Sequence, residues 1–261
     1  MTREVIRAES IDHALEIFYA DPGHTRFLAG GTQLHRLGGE RRCSREILLQ
    51  GVIDGEIRRN GKTLTIGAAA VFQDLADHPE IPPVLRDACL NAQSRTLRQM
   101  ATIGGNIAAG LDESYLLPAL AVLNARVRVH QEGSTAEEIP AESFREGLIT
   151  HAVIPDITIP AMQRRISLSS QTKAAVTAAC SWGDELRAAV SASQCSLVVL
   201  QDAQTMLEQG AVREDADLVS LISREFVPGN DFTGSREYKQ HAAGVLLGQF
   251  LRALIDQKQG G

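Results

Sequence analysis

Ala101-Thr102-Ile103-Gly104-Gly105-Asn106-Ile107 is read together with an earlier glycine pair, Phe27-Leu28-Ala29-Gly30-Gly31-Thr32-Gln33-Leu34. In each, an apolar approach runs into Gly-Gly with a short polar residue beside it. Glycine accepts positive φ and has no Cβ, so successive N–H groups can converge and a ligand can come close. An anion in such a turn meets hydrogen-bond donors and fixed partial charge, most of all where a helix follows. Taken singly, a Gly-Gly pair after a strand reads as a tight turn or bulge. Taken together, two such turns can hold a diphosphate between them. Gly38-Gly39 lacks this setting. Neither turn matches G-x-G-x-x-G or a loop ending in Gly-Lys-Ser/Thr, which sets aside the ordinary nicotinamide and ATP folds.

These residues resemble the FAD-binding subunit or domain of the molybdenum hydroxylases, the family of xanthine dehydrogenase, aldehyde oxidoreductases and aerobic carbon monoxide dehydrogenase. That family carries Ala-Gly-Gly-Thr near its start and Thr-Ile-Gly-Gly-Asn in mid-domain, as this chain does at 29–32 and 102–106. The resemblance extends over nearly the whole chain. It includes Pro118-Ala119-Leu120, the Ile154-Pro155 junction and Ser235-Arg236-Glu237-Tyr238-Lys239. It implies an α+β protein: a PCMH-type FAD-binding domain of two α/β subdomains over 1–158, then a CO-dehydrogenase-flavoprotein-like domain over 159–261 with a three-stranded antiparallel sheet and helices.

The resemblance also implies the site. FAD is expected on Phe27, Leu28, Ala29, Gly30, Gly31, Thr32, Gln33 and Leu34 and on Thr102, Ile103, Gly104, Gly105 and Asn106. The Thr32 and Thr102 hydroxyls and the glycine N–H groups are expected on the diphosphate. A basic residue that the family places near the flavin falls at Arg164 by ungapped count, where it reads equally as an exposed strand arginine. The family's ribose-binding Asp is replaced by Tyr115, flanked by Asp112, Glu113 and Ser114, and Gly-Gly-Thr-Gln stands where Gly-Gly-Thr-Asp is common. The implied partners are a large molybdopterin subunit and a small [2Fe-2S] subunit, with electrons passing through the flavin to NAD⁺, oxygen or another acceptor. Two other classes stay open: a scaffold subunit that has lost FAD, and a self-sufficient flavin oxidase of the vanillyl-alcohol type. A yellow protein releasing FAD removes the first, and absence of substrate turnover by the isolated chain removes the second.

Composition narrows the classes. The 261 residues carry a net charge of −6, whereas a nucleic-acid surface needs a basic patch. Apolar runs such as 116–123 are far shorter than the ~20 residues that span a bilayer. The N-terminus Met1-Thr2-Arg3-Glu4-Val5 lacks a signal's apolar core, so a cytoplasmic protein is expected. Cysteines at 43, 89, 180 and 195 show no C-x-x-C pair or clustered spacing, so no metal or iron–sulfur site is read from them. Electrons from a cluster must therefore come from another polypeptide.

In chain order, Ser10 caps a helix with apolar residues at 11, 14, 15 and 18, ending at Asp21-Pro22-Gly23. A strand over 25–29 enters the first turn, and a further strand is read over 47–53. Residues 56–67 form a hairpin about Asn60-Gly61, and 71–76 and 82–92 are helices, the latter opened by proline. The arginines of Arg95-Thr96-Leu97-Arg98 read either as a solvated face or as positive potential near a diphosphate. Residues 113–123 read as a buried helix, 125–129 and 148–154 as strands, and 131–138 as a loop. Pro155 and Pro160 mark the expected domain boundary. Beyond it, strands are read over 164–168, 174–182 and 186–191, then helices over 203–209, 215–226 and 238–257. The last carries an apolar stripe at Ala242, Val245, Leu246, Phe250 and Leu254. No catalytic acid or base is expected, since flavin carries the chemistry; His13 and His241 are read as surface residues.

Overall fold

The computed structural model describes residues 4–34, 43–92, 94–112, 114–144, 151–160, 166–172, 175–182, 185–208 and 215–259. Among them the chain is mixed α and β, with three sheets. The first is parallel, with β1 (Glu4–Arg7), β3 (Arg45–Leu48) and β2 (Thr25–Leu28) in the order β1-β3-β2. Helix α1 (Ile11–Ala20) covers it with Ala14, Leu15 and Phe18, and the Ser10 hydroxyl caps it by accepting the His13 N–H at 3.1 Å.

The second sheet has the order β4-β5-β8-β6-β7, from β4 (Ile57–Asn60), β5 (Thr63–Gly67), β6 (Arg126–Val129), β7 (Glu137–Pro140) and β8 (Asp156–Pro160). Gly61 turns the β4–β5 hairpin at φ +59°. The stretch between Pro155 and Pro160, read from sequence as a junction, is the central strand of this sheet. Its Ile157 and Ile159 are buried, and Asp156 pairs with Arg128. Within the stretch read as a strand over 148–154, residues 148–150 lie outside the described residues. Val153 forms only an isolated bridge with His130. Helices α2 (Phe72–Asp77), α3 (Pro83–Ala92), α4 (Arg95–Arg98), α5 (Ile103–Ala109) and α6 (Leu116–Val122) come between β5 and β6.

The third sheet is antiparallel, with the order β12-β11-β10-β9. The expected strands are β9 (Ile166–Thr172), β10 (Val176–Trp182) and β11 (Leu186–Ala192), and β12 (Cys195–Val199) joins them as a fourth. Strand alternation gives the sheet two buried faces. Ala178, Cys180, Ala188 and Val190 pack with Leu218, Ile222, Phe226, Ala243 and Phe250 of the C-terminal segment, whereas Ala179 and Ala189 belong to the core of the N-terminal half. The helices of that segment are α7 (Gln201–Glu208), α8 (Asp215–Glu225) and α9 (Arg236–Gln259).

Helix α6 lies between the halves. All seven of its residues are buried, and the inward polar residues of β10 and β11 grip its carbonyl groups. The Ser181 hydroxyl donates to Val122 O, and the Arg187 guanidinium donates to Ala121 O at 3.2 Å and pairs with Glu142 at 2.6 Å. Buried hydroxyls need such partners, which accounts for serines on a face otherwise made of alanine.

Candidate functional site

The first glycine turn leaves the end of β2. Phe27 is fixed by stacking on Phe18, with ring centroids 4.8 Å apart, and Leu28 O accepts the Leu49 N–H at 2.9 Å. Every residue from Phe27 to Leu34 is half-buried. Gly31 has φ +69°, a conformation that favours glycine. Gly30 has no room for a side chain: an added Cβ would run into the Met100 carbonyl and approach Thr102 N to 3.3 Å. The two glycine turns are therefore packed against each other. None of the N–H groups of residues 29–34 has an acceptor among the described residues. Such N–H groups stay available to solvent or to a ligand, so this run is a ready anion cradle.

The second turn is built differently. Thr102 is the N-cap of α5, its hydroxyl accepting the Gly105 N–H at 3.1 Å. Ile103 N–H donates to Ala70 O at 3.0 Å, Gly104 N–H to Ala68 O at 3.0 Å, and Asn106 N–H to Thr102 O at 3.0 Å. The first-turn donors of this helix are thus engaged within the protein, and the expected convergence of its glycine N–H groups on a diphosphate is not what the fold prepares. Gly104 is a packing glycine, since a Cβ there would come within 2.7 Å of Ala68 Cβ. Gly105 is exposed, and an added Cβ would meet only Thr102 Oγ1, at 2.7 Å. It supplies an open surface rather than donors.

Asn106, half-buried, adds a side chain to this surface. Its Oδ1 accepts from the Ser114 hydroxyl at 3.2 Å. Ser114, which the sequence reading named only as a neighbour of Tyr115, is buried and tied on two further sides. Its hydroxyl accepts the Leu117 N–H at 3.2 Å, and its carbonyl accepts from the Ser191 hydroxyl at 3.0 Å. The available signal was a small hydroxyl residue just ahead of an apolar helix and three positions before the N–H it accepts, the reach of a capping side chain.

Tyr115 is half-buried at the start of α6 and packs on the main core. Asp112, three residues away, lines a cavity of about 760 Å³ with Glu142, Gln194, Cys195 and Gln201. Arg98 is held by Gln73 at 3.2 Å and by Leu90 O at 3.1 Å, so it is a fixed part of the wall; Arg95 is exposed. Arg164 lies outside the described residues. Among the described residues no group of His, Cys, Asp and Glu side chains is placed to hold a metal. No helix there is long and apolar enough to cross a membrane.

The family described as FAD binding domain in molybdopterin dehydrogenase matches residues 1–162. Uncharacterized protein YgfM of Escherichia coli (strain K12) is 30% identical over 253 residues, 95% of this chain and 94% of that protein. Quinoline 2-oxidoreductase from Pseudomonas putida 86 matches with TM-score 0.81 at 19% identity, over 100% of this chain and 98% of that one. Carbon monoxide dehydrogenase from Hydrogenophaga pseudoflava, lacking the Mo-pyranopterin moiety, matches with TM-score 0.81 at 19% identity, over 95% and 96%. At that identity the two structures show a shared fold. The first turn, with N–H groups that have no acceptor among the described residues and a glycine closed against its neighbour, fits a dinucleotide diphosphate, and the chain belongs to the family of FAD-binding domains of molybdopterin dehydrogenases, oxidoreductase flavoproteins whose cofactor is FAD.

Proposed function

We propose that this chain is the FAD-carrying electron-transfer subunit of a heteromeric, xanthine dehydrogenase-like molybdenum hydroxylase. The observation that carries the reading is the run of N–H groups at 29–34, without an acceptor among the described residues, seated against the second glycine turn. FAD, when bound, supplies the redox chemistry, and the protein supplies binding, orientation and electrostatics. The main chain at 30–32 receives the diphosphate, the open face at Gly105 and the Asn106 amide flank it, and Phe27 shapes the approach. The adenosine end lies toward Asp112, which stands in for the carboxylate replaced at Tyr115. A retained cradle favours a working flavin site over a scaffold that has lost FAD.

Electrons enter from a partner carrying [2Fe-2S] clusters, with substrate oxidation on a molybdopterin subunit, and leave to NAD⁺ or another acceptor. Cluster ligation needs accessible thiolates, whereas burial pushes the Cys89 and Cys180 thiols up to about 12, and these residues lie on different elements. We place the complex in the cytoplasm and the domain boundary after β8, since the expected division at 158/159 would cut that central strand. The test is to purify the chain with its co-expressed partners and measure FAD released on denaturation. Stoichiometric FAD, with cluster electrons reaching it from a partner subunit, is expected; a colourless, FAD-free complex, or substrate turnover by the isolated chain, overturns the reading.

A further inference from the structure

We infer that Ser114 is a positioning residue for the flavin site, fixing which end of the Asn106 amide faces the cofactor. This rests on the proposed placement of FAD between the two turns. The argument is one of hydrogen-bond inventory. The Ser114 hydroxyl has one proton to donate and two lone pairs. The Leu117 N–H is a donor only, so it occupies a lone pair at 3.2 Å. The single hydroxyl proton then needs an acceptor, and Asn106 lies 3.2 Å away. Only the Asn106 Oδ1 can accept it. With the amide turned over, the hydroxyl proton of a residue that is 2% exposed would be left without a partner, at a real desolvation cost.

The Asn106 NH₂ group therefore points away from Ser114, and among the described residues it makes no hydrogen bond. The second turn has few donors left to offer, because the N–H groups of Ile103, Gly104, Gly105 and Asn106 are engaged within the protein. The Thr102 hydroxyl keeps its proton but is buried. The outward Asn106 NH₂ is the second turn's contribution to an anionic or hydroxyl-bearing part of the cofactor, and Ser114 holds that donor forward. An oxygen presented there instead would repel a phosphate. Ser114 is also tied to β11 by its main chain, its carbonyl accepting from the Ser191 hydroxyl at 3.0 Å, a contact that leaves the Ser114 hydroxyl free to orient Asn106.

The experiment is a double-mutant cycle on FAD affinity, titrating FAD into apo full-length chain and following flavin fluorescence. Ser114→Ala alone should weaken FAD about tenfold, the scale of one oriented hydrogen bond. In an Asn106→Ala background the same change should weaken it by less than about twofold, since its route is already removed. Ser191→Ala, which leaves the Ser114 hydroxyl intact, should lower the melting temperature while FAD affinity stays within about twofold. Equal losses from Ser114→Ala in both backgrounds would show a structural role and overturn the inference. Unchanged affinity in Ser114→Ala with weakened binding in Asn106→Ala would overturn it too. Full affinity in Asn106→Ala and in Gly30→Ala together would instead overturn the placement of FAD itself.

Discussion

Gly30 lies against the Met100 main chain so closely that a β-carbon there would overlap the Met100 carbonyl oxygen and come within 3.3 Å of Thr102 N. The obstruction is backbone on both sides, so no rotamer relieves it. Gly30→Ala must push the two glycine turns apart, at about 1–3 kcal/mol of overpacking, and open the cradle at 29–34. Reduced thermal stability together with loss of copurifying FAD is the expected result. A folded variant with full FAD content would mean that the contact between the turns is incidental to binding.

Thr102 separates capping from ligand contact. Its hydroxyl accepts the Gly105 N–H, so Thr102→Ala removes the cap of α5 and should cost about 1 kcal/mol. Thr102→Ser keeps the oxygen and should restore that stability. Chemical denaturation of the three forms, with FAD content measured in parallel, distinguishes the roles. Equal stability of the Ala and Ser variants would refute the cap.

Much of the architecture is visible along the chain because its signals are local. Ser10 three residues before the N–H it accepts, Asn60-Gly61 between alternating segments and Pro83 at the start of α3 each describe their own element. What stays hidden is non-local. Pro155 and Pro160 look like linker punctuation, yet proline is tolerated at strand ends, and β8 is central because β5 and β6 arrive from elsewhere to pair with it. The turn into β12 lacks glycine, placing Gln194 itself at φ +61°, so the usual hairpin signal is missing. The same limit applies to the site. The glycine pairs are plain to read, but the engagement of the Ile103 and Gly104 N–H groups depends on carbonyls of Ala70 and Ala68 that only the fold supplies.

A buried ion pair gives the C-terminal segment a pH signature. Lys239, fully buried, donates to the Asp231 carboxylate at 2.8 Å and to Gly229 O at 3.0 Å. Lys239 and then Thr233 hold the Asp231 carboxyl far below the usual range. A carboxyl depressed on folding stabilises fully above its unfolded value, about 4, and that contribution is lost as pH falls toward the folded value. The melting temperature should therefore drop below about pH 4. Asp231→Asn should melt lower at pH 7 and show a flatter acid limb. Identical acid limbs in variant and parent would exclude the pair as their source.

The long C-terminal helix supplies the last test, because two of its residues separate support from chemistry. Leu246 is buried in the cluster that joins α8 and α9 to the outer face of the third sheet, and Leu246→Ala should cost ~2–5 kcal/mol of stability. His241, close to it in sequence, is exposed. His241→Gln should leave electron transfer unchanged. Both claims are checked in the assembled enzyme by measuring the reductive and oxidative half-reactions alongside thermal unfolding. A selective loss of flavin reoxidation in His241→Gln, with FAD content and melting temperature intact, would relocate the electron-acceptor site to this helix.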